Sequence, residues 1–184
     1  MVMVHVPFTV VAVLTATIVF AAPAEAPRIA VVETGGAYQV TAEFTVPATP
    51  AEVAAVLTDF ERIPEFMPDV KSSEVLSRTE AGLVVQQEAI AKFLMFSKRM
   101  HLVLDVSQDG GSIRFRDRCG KSFTSYEGAW HLTDAGGHTA IAYILSAKPA
   151  FEVPRFVLTR LLKRDAADMI ERLRMEIAAR TASR

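Results

Sequence analysis

The chain has 184 residues and a formal net charge of −1 at pH 7, because 20 Lys and Arg are balanced by 21 Asp and Glu. This length suits one domain plus a targeting segment, and about 160 mature residues can bury roughly 70% of their unfolded surface without disulfides. The balanced charge argues against a nucleic-acid binder, which would usually carry a strong basic excess. Cys119 is the single cysteine and cannot form an internal disulfide, so we expect a small apolar residue in a strand.

The N-terminus has the pattern of a secretory signal peptide. Residues 6–22 are nearly continuous apolar sequence, no Lys, Arg, Asp or Glu precedes Glu25, and positions 22–24 offer a cleavage site of small residues. We therefore expect residues 1–24 to be removed on export and residues 25–36 to form an N-terminal linker. The mature protein would then be periplasmic or secreted.

Two alternatives to a cleaved signal peptide stay open. The region before the apolar run carries no Lys or Arg, only His5 and the terminal amine, and this departs from the usual pattern. An uncleaved membrane anchor is the first alternative, because about 17 apolar residues lie at the lower limit for a spanning helix. A wrongly chosen start codon is the second.

The folded domain is predicted to begin with a strand at Tyr38–Val46, where apolar and polar residues alternate. A helix follows, because Thr49 and Glu52 have the spacing of a capping box and Pro50 occupies the first helical position. Asp59 is expected to cap a second short helical turn.

Six more strands are predicted from alternating patterns and turn signals, of which the hairpin signal Asp109-Gly110-Gly111 is the strongest. They cover residues 70–77, 83–92, 93–106, 113–118, 123–133 and 139–148. Because short turns join successive strands, the strands must pair antiparallel. Seven strands in all would form one antiparallel sheet.

A long amphipathic helix, predicted over residues 154–180, closes the domain. Its apolar residues recur at the spacing of one helix face, at Val157, Leu158, Leu161, Leu162, Met169, Ile170, Leu173 and Ile177. The sequence therefore predicts an α+β domain with a seven-stranded antiparallel sheet, two short helices after the first strand, and a long C-terminal helix over the sheet.

Four segments in this order resemble the START-like superfamily, which includes polyketide cyclases and dehydrases, coenzyme Q-binding proteins and plant Bet v 1-type allergens. They are the strand end Phe44-Thr45-Val46-Pro47-Ala48, the run Thr58-Asp59-Phe60-Glu61-Arg62-Ile63-Pro64-Glu65-Phe66-Met67-Pro68, the segment Gly128-Ala129-Trp130-His131-Leu132, and the turn Gly136-Gly137-His138-Thr139 with Tyr143 and Pro149. The resemblance covers a domain at residues 37–180 and leaves residues 181–184 as a tail. It implies a helix-grip fold, in which a curved sheet wraps the long helix around an apolar cavity.

The resemblance leads us to expect that a hydrophobic ligand binds between the sheet and the last helix. The candidate ligand-binding residues are Phe66, Met67, Phe115, Asp117, Trp130, Tyr143, Phe156, Leu158 and Leu162. Asp117 is included because its strand directs it inward, where a carboxylate needs a partner such as an Arg of the long helix. On that helix we expect the ligand to be lined by the residues near its start, at 157–162, and the sheet to be sealed by those at 169–177.

Residues 93–100 form a second candidate site, a portal or membrane-docking edge. Its apolar side chains would enter a membrane while its cations meet anionic headgroups. The candidates are Phe93, Met95, Phe96, Lys98 and Arg99. The plainer interpretation is a buried strand flanked by surface charge.

One strand face carries Arg114, Arg116 and Arg118, and it also admits two interpretations. These residues form either a solvated outer face paired with acidic neighbours or a patch for an anionic lipid or partner.

The sequence holds no catalytic, metal-binding or cofactor-binding motif. His101, His131 and His138 lack metal-ligand spacing, and we expect them at the surface or on a rim. We therefore predict a monomer that binds a lipid, quinone or polyketide-like molecule without a cofactor or catalysis, and that does not bind nucleic acid. Two alternatives stay open: a polyketide cyclase or dehydratase with acid/base groups in the pocket, and a protein-interaction module with a filled core.

Overall fold

A computed structural model of the protein describes residues 26–92, 97–152 and 154–183, and within them an eight-stranded antiparallel sheet is packed against helices. The strands are β1 (Arg28–Thr34), β2 (Ala37–Val46), β3 (Val70–Thr79), β4 (Gly82–Lys92), β5 (Ser97–Asp109), β6 (Ser112–Asp117), β7 (Phe123–Asp134) and β8 (Thr139–Pro149). The helices are α1 (Pro50–Leu57), a 3-10 turn (Phe60–Arg62), α2 (Ile63–Phe66) and α3 (Arg155–Ala182). The strand order β1-β2-β8-β7-β6-β5-β4-β3 confirms the predicted α+β class.

The strand count is eight rather than seven, because β1 lies in the segment predicted to be a linker. Ile29 and Val31 face the core, where they pair with Ala42 and Val40 of β2 and pack against the main buried cluster. The turn between the two strands is Gly35-Gly36, with φ of 61° and 82°. Two adjacent residues with positive φ are typical of a tight hairpin, and only glycine adopts that conformation freely.

The predicted start of α1 is confirmed by its capping contacts. The Thr49 side chain accepts a hydrogen bond from the Glu52 N–H (3.3 Å), and the Glu52 carboxylate accepts one from the Thr49 N–H (2.9 Å). Asp59 does not cap the next turn as predicted. Its carboxylate instead accepts a hydrogen bond from Arg180 of α3 at 2.7 Å, which ties the end of the long helix to the α1–α2 segment.

Helix α3 lies against β1, β2 and α1, and its buried face agrees with the predicted periodicity. Its buried residues are Leu158, Leu161, Ala166, Ile170, Leu173 and Ile177. The last four pack into the main core with the inner faces of β2 and β8. Among the residues that the structure describes, no helix is both long and apolar enough to cross a membrane.

Candidate functional site

An apolar cavity of about 210 Å³ lies between α3, the α1–α2 segment and the inner faces of β3 to β8. Its wall is built mainly from aliphatic and aromatic side chains, and no residue that lines it carries a formal charge at neutral pH. The polar atoms on the wall belong to Gln87, Tyr126, Trp130 and Tyr143.

The structure brings five of the predicted ligand-binding residues together on this wall. They are Phe66, Met67, Phe115, Trp130 and Tyr143. Phe66 and Met67 come from the end of α2, and the other three come from β6, β7 and β8. Alternation along each strand directs these side chains to the same face of the sheet.

Three predicted residues from the start of α3 lie elsewhere. Phe156 is 77% exposed to solvent, and Leu158 packs in a separate buried cluster with Tyr38 and Leu161. Leu162 is half-buried at the edge of that cluster and does not line the cavity. The expected division of the helix is therefore wrong, because Met169 and Leu173 line the cavity while Leu158 and Leu161 seal against the sheet edge.

Asp117 does not reach the cavity, and its partner is not an arginine. Its carboxylate accepts hydrogen bonds from the backbone N–H groups of Val103 (2.9 Å), Cys119 (3.2 Å) and Gly120 (3.0 Å). Partial burial by itself would raise the pKa of Asp117, but these hydrogen bonds to the charged form outweigh burial and hold the pKa below its usual value. Asp117 therefore shapes the turn after β6 rather than a ligand site.

Aromatic rings form one continuous side of the cavity. The Trp130 and Tyr143 ring centroids are 4.3 Å apart, and the Phe115 ring lies 6.5 Å from Tyr143 and 5.8 Å from Tyr126. Gly128 makes this arrangement possible. Phe115 lies directly across from it on the neighbouring strand, and a side chain at position 128 would collide with the Phe115 ring.

The polar tips of these rings have no hydrogen-bond partner among the residues that the structure describes. This holds for the hydroxyls of Tyr126 and Tyr143 and for the Trp130 N–H, and Tyr143 is only 6% exposed. Burial raises the pKa of Tyr126 to about 12, with the nearby Asp117 charge adding to it, and burial raises the pKa of Tyr143 well above 10.0. Both phenols therefore stay neutral at physiological pH and can donate a hydrogen bond to a bound molecule.

Sequence reasoning missed Tyr126 and Gln87 as wall residues, although period-two alternation places both on the inner face. Tyr126 precedes Trp130 by four residues on β7, and Gln87 follows the fully buried Val85 by two residues on β4. The Gln87 amide donates a hydrogen bond to the Ser73 hydroxyl at 3.0 Å, which fixes its orientation.

The second candidate site is only partly within the described residues, since Phe93, Met95 and Phe96 lie outside them. The Lys98 ammonium lies 3.9 Å from the centre of the Phe151 ring, and the Arg99 guanidinium lies 3.9 Å from the Glu88 carboxylate. Contact with a membrane by this segment stays a prediction.

The arginine face formed by β6 and the residue after it fits the plainer interpretation for two of its three residues. Arg116 pairs with Glu127 at 2.7 Å, and Arg118 pairs with Asp105 at 3.2 Å, both on the exposed side of the sheet. Exposed pairs of this kind contribute little to stability.

Two histidines form hydrogen bonds away from the cavity. His101 Nδ1 lies 2.7 Å from the Glu88 carboxylate, and His131 Nδ1 lies 2.9 Å from the Ser112 hydroxyl. Within the described ranges, no group of three or more His, Cys, Asp or Glu could hold a metal ion.

Residues 46–174 match the family described as polyketide cyclase/dehydrase and lipid transport, and the chain belongs to this family. Its fold is that of the START-like superfamily. Among solved structures, a STAR-related lipid transfer protein from Xanthomonas axonopodis matches with a TM-score of 0.67 and 20% identity, over 86% of this chain and 97% of that one.

Two further solved structures show the same fold. A START superfamily protein from Mycobacterium smegmatis has a TM-score of 0.66 and 18% identity, over 77% of this chain and 97% of that one. An aromatase/cyclase from Streptomyces sp. R1128 has a TM-score of 0.66 and 15% identity, over 79% and 96% of the two chains. No curated protein sequence matches the chain.

Proposed function

We propose that the protein binds an uncharged hydrophobic molecule that carries oxygen acceptors, such as a quinone or the acyl or ketone part of a lipid or polyketide, and holds it without chemical change. The observation that carries this proposal is the composition of the wall. It is apolar and uncharged, and it presents three neutral donors, on Tyr126, Trp130 and Tyr143, that have no hydrogen-bond partner among the described residues.

The unpartnered donors favour a ligand with acceptor oxygens over a plain hydrocarbon. The polar atoms of these three side chains are not among the fully buried unpaired atoms of the described residues, so solvent can reach them from the cavity. A ligand without oxygen would displace that solvent and leave a buried donor without a partner, at a cost of about 1–3 kcal/mol. A carbonyl oxygen placed against Tyr143 or Tyr126 would accept the hydrogen bond and avoid that cost. The ligand is expected to be neutral, because no charged side chain on the wall could compensate a buried charge.

The same wall argues for a carrier rather than a cyclase or dehydratase. General acid–base catalysis is efficient when a group titrates near the working pH. The ionisable groups on the wall are the two tyrosines, and their raised pKa values leave them unable to act as bases at neutral pH. Asp117, the carboxylate that would have supported an enzyme, is bonded to the backbone outside the cavity.

The cavity volume limits the size of the group it takes. About 210 Å³ is below the roughly 300 Å³ at which ligand pockets usually begin. We infer that it holds a compact group, such as a bicyclic ring or the end of a longer chain. We also propose that the protein acts outside the cytoplasm, which rests on the signal-peptide pattern of residues 1–24.

The single tryptophan provides the test, because Trp130 lies on the wall and its fluorescence reports on the cavity. We suggest titration with 2,3-dimethyl-1,4-naphthoquinone, a compact neutral molecule with two carbonyl oxygens. Saturable quenching with one site per chain is expected. Val70→Phe places a ring in the cavity and should abolish quenching, whereas Leu76→Phe places a ring at an exposed position of the same strand, outside the lining, and should preserve it.

Quenching that does not saturate, or that persists unchanged in Val70→Phe, would count against binding in this cavity.

A further inference from the structure

A second cleft, of about 230 Å³, opens at the surface between α3, the strands β4 and β5, and residues 67–69 at the end of α2. Three acidic and three basic side chains line it: Asp69, Asp165, Asp168, Lys92, Arg164 and Arg172. Two pairs within it are in direct contact, Lys92 with Asp69 at 2.6 Å and Arg164 with Asp165 at 2.8 Å. The charges balance, so the cleft carries no net formal charge.

The cleft and the cavity share two residues, Met67 and Met169. Met67 comes from the end of α2 and Met169 from the middle of α3, and both residues border both spaces. Methionine is unbranched and has three rotatable bonds beyond its backbone, which lets it move aside without a change in the backbone.

Two other hollows share a lining residue with the cavity in the described part of the chain. Val106 and Phe115 also border a groove on the outer face of the sheet, but β5, β6 and β7 are continuously paired there. Val56 borders a hollow of only about 50 Å³, next to the point where Arg180 binds Asp59.

The backbone beside the methionines is held in place. The Val70 N–H donates to the Met67 carbonyl at 2.9 Å, and the Ile90 N–H donates to the Asp69 carbonyl at 2.8 Å. The Lys71 ammonium donates to the Pro68 carbonyl at 2.6 Å. The backbone at residues 67–70 is therefore fixed by hydrogen bonds.

We propose that the charged cleft is the entrance to the cavity and that the side chains of Met67 and Met169 form its gate. This inference rests on the proposed binding function. It differs from the sequence-based portal, because its gate lies on α2 and α3 rather than in the segment 93–100. A ligand would pass between the two methionines, and a longer ligand would leave its far end in the cleft.

A gate changes the rates of binding and leaves the affinity unchanged, and this distinction provides the test. In a Cys119→Ser background, Asp168→Cys places a thiol in the cleft and Glu171→Cys places one on the exposed face of the same helix. The two variants lose the same charge. Each is labelled with a polyethylene glycol maleimide, and stopped-flow quenching of Trp130 by 2,3-dimethyl-1,4-naphthoquinone gives both rate constants.

The label at position 168 is expected to slow association and dissociation by a similar factor, about tenfold, and to leave Kd unchanged. The reason is that an obstruction raises the same activation barrier for entry and for exit of the ligand. The label at position 171 should leave both rates as they are. Equal rates for the two labelled proteins, with binding intact, would overturn the entrance. Absence of saturable quenching in the unlabelled protein would instead overturn the proposed function, and the entrance with it.

A second pair of variants tests the gate itself. Met169→Ala removes one gate side chain and should raise both rate constants about fivefold or more. Met175→Ala makes the same change on the exposed side of the same helix, outside the cleft and the cavity, and should leave the association rate unchanged. Equal association rates for these two variants would contradict a methionine gate.

Discussion

Substitution of Gly128 by alanine is expected to destabilise the protein and to disturb the cavity at the same time. Gly128 pairs with Phe115 across β6 and β7. A Cβ at this position would overlap the backbone carbonyl oxygen of Ile144 and would lie 2.5 Å from Cζ of the Phe115 ring. Both neighbours must move before an alanine can fit.

The size of the effect follows from what those neighbours are. Overpacking in a well-packed region costs about 1–3 kcal/mol. The Ile144 carbonyl belongs to the paired strand β8 and cannot rotate away, so we expect a cost near the upper end. A gain of about 0.4–1 kcal/mol from the lower chain entropy of alanine in the unfolded state opposes it. The net loss should be about 2 kcal/mol.

Urea denaturation of Gly128→Ala, Phe115→Leu and the double variant measures this loss and divides it. If the ring overlap contributes, the double variant should lose less than the two single losses combined, because leucine leaves room for the new methyl group. The loss of stability that Gly128→Ala still causes in the Phe115→Leu background would report the overlap with the Ile144 carbonyl. Wild-type stability in Gly128→Ala would refute the reasoning.

Three further predictions follow from the site and the core. Tyr143→Phe keeps the ring but removes one hydrogen-bond donor. The Kd for 2,3-dimethyl-1,4-naphthoquinone should therefore rise about 2- to 13-fold, the equivalent of about 0.5–1.5 kcal/mol. In calorimetry with 2,3-dimethylnaphthalene, which has no oxygens, the substitution should not raise Kd. Ile170→Ala should lower the free energy of unfolding by about 2–5 kcal/mol, because Ile170 is 0% exposed, whereas Met175→Ala on the 56% exposed side of the same helix should have little effect in the same urea experiment. The hydrogen bond from His101 lowers the pKa of Glu88 below its ordinary value of 4.5. The wild-type protein should therefore be more stable than Glu88→Gln above pH 4.5, and it should lose this advantage as the pH falls through the lowered pKa. Equal stability of the two proteins at neutral pH would be contrary to this prediction.

The sheet and the long helix could be predicted because their signals are local. Alternation predicted the inner faces of β2 and β6, and the capping residues Thr49 and Glu52 predicted the start of α1. The strand β1 was not predicted, because residues 28–34 form only a short segment within the predicted linker. The adjacent glycines at positions 35 and 36 were the available signal for its hairpin.

The cavity could be predicted only in part, because periodicity shows which face of an element is buried and not where space remains along it. All of the apolar residues on α3 share one face, yet Met169 and Leu173 border a void while Leu158 and Leu161 meet Tyr38. That difference depends on where the α1–α2 segment crosses the helix. Such a contact joins distant parts of the chain and produces no local pattern in the sequence.

Asp117 shows the same limitation for a polar group. Strand alternation directed it inward and predicted a charged partner. The structure satisfies it through three backbone N–H groups of the neighbouring strand and the following turn. An Asp side chain that accepts from the backbone two residues on is typical of turns, so the turn signal at Gly120 was the available indication.

Native mass spectrometry of the protein, purified gently from its own cells, tests the central claim most directly. We expect one uncharged, oxygen-containing hydrophobic molecule per chain, released on collisional activation and able to raise the Tm when added back. A ligand-free protein whose Tm is unchanged by quinones, lipids and aromatic ketones would contradict the claim that the cavity is a binding site.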